Sequence, residues 1–163
     1  MISGKETLQQ ALIEAFSLEK GMREFYRFAE VETESEEARR TYEMLRGWEG
    51  RHMEYIESLY VAVMGDRELQ SYMEFAERTP SGFVEAGLSS IEAKNMLADR
   101  KPKGEAGIID FALEMEEGAH HFYRILSQSA EDDNAKVIFK EMVTQEQKHI
   151  DGLRSLKEKF KDQ

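Results

Sequence analysis

Apolar residues recur along most of the chain at alternating steps of four and three, the period of a helix that turns one stripe toward a bundle core. Four segments carry this pattern. The first stripe runs Leu8, Leu12, Ala15, Glu19, Met22, Tyr26, Ala29, and the second Ala38, Tyr42, Leu45, Glu49, His52, Ile56, Leu59, Val63. The third runs Ile109, Ala112, Glu116, Ala119, Tyr123, Leu126, Ala130, and the fourth Ala135, Phe139, Met142, Glu146, His149, Leu153, Leu156, Phe160. Ser35 is placed to cap the second helix and Asp132 or Asp133 the fourth, each after a short polar turn, and short turns make antiparallel neighbours. Both prolines, Pro80 and Pro102, fall within 65–104, among the turn formers Gly65-Asp66, Ser81-Gly82 and Gly104. That stretch far exceeds the roughly 2 to 8 residues of a bundle hairpin, so it is expected to cross the length of the bundle. Within it, 69–78 is compatible with a helix. The fold expected is all-α: one domain over 1–163, a four-helix bundle with hairpins at about 5–64 and 105–161 and a long crossover, 65–104, between helices 2 and 3.

The two hairpins look like copies. Laid over MEEGAHHFYRI (115–125), the segment LEKGMREFYRF (18–28) is identical at five of eleven positions, including Glu19 with Glu116, Gly21 with Gly118 and Tyr26 with Tyr123. The same offset of 97 residues carries Glu49 to Glu146 and His52 to His149, in segments that otherwise differ. Two separate segments thus agree on one register.

Every stripe is interrupted near its middle by charge-capable residues. Glu19 and Glu49 are equidistant from the turn at Thr33-Glu34-Ser35, and Glu116 and Glu146 from the turn at Glu131-Asp132-Asp133. Each lies about 15 residues from its turn, roughly 22 Å along its helix, so the paired glutamates meet at one height. His52 and His149 follow their glutamates by three residues on the same helix face. Four carboxylates and two imidazoles therefore converge inside an apolar interior, and no stripe position supplies a Lys or Arg to balance them. An unpaired buried carboxylate costs several kcal/mol, more beside a like charge. Two divalent cations would resolve the electrostatics. One Glu from each of two helices, with Glu-x-x-His from each of the other two, is the ligand arrangement of di-iron and di-manganese carboxylate bundles.

Composition narrows the chemistry. The 33 Asp and Glu exceed the 22 Lys and Arg, for a formal charge of −11. An acidic chain favours cations over phosphate backbones, so nucleic acid is not an expected partner. With no cysteine, thiolate zinc sites, cysteine nucleophiles and cysteine-ligated iron centres are excluded, and a redox partner must come from another chain. The N-terminus has no basic segment leading into an apolar run, and nowhere do about 18 apolar residues occur consecutively. A soluble, cytoplasmic protein with no membrane partner is expected.

Through these six residues the chain resembles the ferritin-like superfamily and, within it, the rubrerythrin-like di-iron proteins, over its four helices. The resemblance implies that Glu49 and Glu146 bridge two irons, with Glu19, Glu116, His52 and His149 as terminal ligands. It also implies a role beside the ligands for Tyr26 and Tyr123, seven residues past their glutamates. Two departures stand out. Rubrerythrins carry a further Glu on the third helix where this chain has Ala119, and full-length members add a rubredoxin tail that needs cysteine. His120 reads as a flanking residue and Trp48, beside Glu49, as packing. Gly50-Arg51 between Glu49 and His52 leaves no methionine to hold the haem of bacterioferritins. With 14 residues after His149, the fifth helix of ferritin cages and cage assembly are not expected.

The activity expected is that of a non-haem di-iron oxidoreductase reacting with hydrogen peroxide or O2, as peroxide reductase or ferroxidase, in defence against oxidative stress. A rubredoxin or reductase would be the external electron donor, and the protein a homodimer. Iron binding or storage without turnover, a dimanganese catalase and a metal-free helical dimer are the alternatives, because the same ligands suit Fe and Mn.

Overall fold

The computed structural model describes residues 5–64, 95, 98–99 and 104–160. Four long helices stand among the described residues: α1 (Lys5–Glu32), α2 (Glu36–Met64), α3 (Gly104–Ser129) and α4 (Asp133–Glu158). Apart from those few positions, the expected crossover and its stretch 69–78 lie outside the described residues. α1 pairs with α2 and α3 with α4, while α2 packs on α4 and α1 on α3, which closes a four-sided bundle. This is an all-α, ferritin-like architecture.

Local chemistry sets the helix ends. The Ser35 hydroxyl accepts from the Ala38 N–H at 3.2 Å, and Asp132, rather than Asp133, accepts from the Ala135 N–H at 2.8 Å. Each side chain satisfies a backbone donor that the first turn of a helix leaves unpaired. Gly104 opens α3 with φ of 71°, a backbone conformation that glycine adopts without strain.

Heptad-like spacing fixes which face is buried. Every stripe residue named above is buried except Val63 and Phe160, which are partly buried against the same core. The aromatic packing repeats with the sequence. Tyr26 stacks on Tyr42 with centroids 6.1 Å apart at 24°, and Tyr123 stacks on Phe139 at 6.2 Å and 22°. The one chemical difference, Tyr42 against Phe139, is used. The Tyr42 hydroxyl and the Thr33 hydroxyl both donate to Glu105 at the start of α3, at 2.7 and 2.6 Å, tying the first turn to the second hairpin. Among the described residues, no helix is long and apolar enough to cross a membrane.

Candidate metal centre

At mid-height the apolar stripes give way to Glu19 on α1, Glu49 and His52 on α2, Glu116 on α3, and Glu146 and His149 on α4. All six are buried, five of them fully and His149 to within 5%. The structure brings together every ligand residue read from the sequence. His52 Nδ1 lies 3.0 Å from Glu19, 3.2 Å from Glu49 and 3.1 Å from Glu146. His149 Nδ1 lies 3.2 Å from Glu116, 3.5 Å from Glu49 and 3.0 Å from Glu146. The two rings are nearly parallel, at 19°, with centroids 5.4 Å apart.

Two donor sets result. One is Glu19, Glu49, His52 and Glu146, the other Glu49, Glu116, Glu146 and His149, and within each set one donor atom per residue lies within 4.8 Å of the others. Glu49 and Glu146 belong to both. Their four carboxylate oxygens are buried and, although ion-pair distances link them to the imidazoles, none accepts a hydrogen bond of proper geometry among the described residues. Buried polar atoms are normally satisfied, so carboxylate oxygens left this way are placed for a cation. Oxygen and nitrogen donors without sulfur fit iron or manganese, and the cluster is compatible with a di-iron centre.

Protons balance the charge in the metal-free chain. Burial alone would lower both imidazoles, but the surrounding carboxylates outweigh it. His149 is pushed up to about 11, and Glu19, Glu146 and Glu49 hold His52 well above the ordinary imidazole range. Burial, then Glu146, pushes Glu116 up to about 8. Burial, then the charges of Glu116, Glu19 and Glu146, raises Glu49 well above the carboxylate range. Glu146 moves the other way: burial would raise it, but the two histidines hold it below the usual range.

The tyrosines reach across the bundle. Tyr26 donates not to its own hairpin's glutamate but to Glu116, and Tyr123 donates to Glu19. Burial, then the neighbouring carboxylates, raises both phenols, so they stay protonated as donors. His120 is half-buried and belongs to neither donor set. Ala119 is buried and brings no further carboxylate. Trp48 packs on the His149 ring at 6.3 Å, with the Arg51 guanidinium over its own ring at 4.5 Å.

Gln145 is the site neighbour that periodicity missed, because it lies off the stripe. Only 5% exposed, it holds His52 Nε2 at 2.9 Å through its amide oxygen. The one available signal was its pairing with Trp48 at the offset of 97 residues, a departure from the repeat inside the site.

Fold and cluster define a class: an all-helical, ferritin-like bundle built around buried carboxylates and imidazoles. Residues 107–163 match the rubrerythrin family model, so the second hairpin is similar to that family. The matched span holds Glu116, Glu146 and His149, the second hairpin's share of the cluster. Comparison with curated proteins and with solved structures found no significant match.

Proposed function

We propose that the chain holds two iron ions and reduces hydrogen peroxide or O2 with electrons from a separate donor, with peroxide the preferred oxidant. The supporting observation is the pair of donor sets sharing Glu49 and Glu146, whose buried oxygens have no hydrogen-bond partner among the described residues. In this reading Glu49 and Glu146 would serve both ions, with Glu19 and His52 holding one and Glu116 and His149 the other. The bound ions would supply electrons and a template for the oxidant.

The chain's residues provide the rest. Tyr26 and Tyr123 orient the unshared glutamates through their hydroxyls, and the buried aromatic and aliphatic stripes exclude bulk water. Reduction of one peroxide takes two electrons and two protons and yields two waters. In this reading those electrons come from a separate donor, such as a rubredoxin or a reductase. The test is sustained peroxide consumption by the iron-loaded protein with a reductant, compared with Glu49→Ala. Turnover in the wild type, lost in a variant that stays helical, supports the reading. Equal turnover in both refutes it. Iron bound without turnover leaves iron handling as the function.

A further inference from the structure

The repeat breaks one residue before each shared glutamate, and the break reaches both histidines. On α4, Gln145 accepts at Oε1 from His52 Nε2 at 2.9 Å, and its amide nitrogen donates to the Glu141 carboxylate at 3.0 Å. A carboxylate only accepts, so Glu141 fixes which end of the amide faces His52. The amide oxygen also only accepts, so His52 Nε2 carries a proton and Nδ1 is the atom turned to Glu19, Glu49 and Glu146.

The other half lacks this brace. The position equivalent to Gln145 is Trp48, whose ring packs beside His149 at 6.3 Å. His149 Nε2 is buried with no hydrogen-bond partner among the described residues. The residue lines a cavity of about 200 Å³ together with Trp48, Met44 and Lys148, and Met44 and Lys148 are exposed.

We propose that Glu141 and Gln145 are positioning residues for His52, with no counterpart at His149 among the described residues, so that the two metal positions are unequal and the His52 position binds more tightly. This rests on the metal reading above. A hydrogen bond at the far nitrogen fixes the tautomer and ring orientation of a ligating histidine and raises its basicity, and losing such a partner typically lowers metal affinity about 10–100-fold. His52 has that partner and His149 does not.

The experiment is anaerobic calorimetric titration of the metal-free protein with cobalt(II), with helicity followed by circular dichroism. Wild type is expected to bind two ions in unequal steps. Gln145→Leu is expected to weaken the tighter step about 10–100-fold and leave the other unchanged. The exchange Glu141→Gln/Gln145→Glu keeps an acceptor on His52 and the net charge, and is expected to restore the tighter step. Glu141→Ala, at an exposed position, tests the same brace if Gln145→Leu fails to fold, and is expected to weaken that step alone. Equal steps in wild type, or brace variants that change neither step or both alike, would overturn the proposal. No cobalt bound by a helical wild type would overturn the metal reading itself.

Discussion

The Tyr26 hydroxyl on α1 donates to Oε1 of Glu116 on α3, on the opposite hairpin. Tyr123 returns the contact to Glu19. Each half of the duplicated bundle therefore holds the other half's unshared glutamate, which couples the site to correct docking of the hairpins. Removing a donor from a buried carboxylate leaves an unsatisfied charge-capable group, at a cost of about 1–3 kcal/mol. Tyr26→Phe should destabilise the metal-free protein by that amount in chemical denaturation, and Tyr123→Phe similarly. An unchanged midpoint would mean the hydroxyl does not hold Glu116.

Glu49 tests the opposition between site and stability. In the metal-free chain it is a buried carboxylate raised by burial and by three other carboxylates, and such groups destabilise a fold. Glu49→Gln should raise the melting temperature of the metal-free protein while lowering that of the iron-loaded protein relative to loaded wild type. Scanning calorimetry of both forms reads the crossing, and a variant less stable in both forms would contradict it.

The pH dependence of the metal-free fold has a definite sign. Glu116 rises from its ordinary 4.5 to about 8 and His149 from 6.5 to about 11. Each binds its proton more tightly in the fold than in the unfolded chain. Its contribution is complete below the unfolded value and lost as pH rises through the folded one. Stability should therefore fall with rising pH, most steeply between 6.5 and 8, where the two windows overlap. Glu146 opposes this only below 4.5, where its lowered carboxyl begins to lose its contribution as pH falls. Metal displaces the protons, so loading should flatten the profile and affinity should rise with pH. Denaturation of chelator-treated protein at several pH values checks the direction, and stability that rises across neutrality would contradict it.

Ser35→Ala removes the acceptor on the Ala38 N–H at a cost of about 1 kcal/mol. For a chain of this size that lowers the melting temperature by about 2–4 °C, with metal binding retained. A thermal melt followed by circular dichroism measures the drop, and an unchanged melting temperature would contradict the cap.

Much of this was legible because one periodicity governs both core and site. The step that buries Leu12, Tyr42, Ala112 and Phe139 also buries Glu19, Glu49, Glu116 and Glu146, and equal distances from two short turns bring them level. What periodicity could not give lies off the stripe or across the bundle. Gln145 enters the site through its hydrogen bond to His52, a contact between α2 and α4 that depends on how the two helices are rotated. Spacing along α1 placed Tyr26 over its own Glu19, whereas helix packing delivers it to Glu116. The choice of Asp132 over Asp133 as cap came down to backbone geometry, extended at Asp132.

A two-metal site is read out by iron per chain after anaerobic incubation with ferrous iron and removal of unbound metal. Two donor sets that share Glu49 and Glu146 require about two irons per chain, with Glu49→Ala losing both. A wild type that stays helical yet retains no iron, or a Glu49→Ala variant that keeps both, would contradict it.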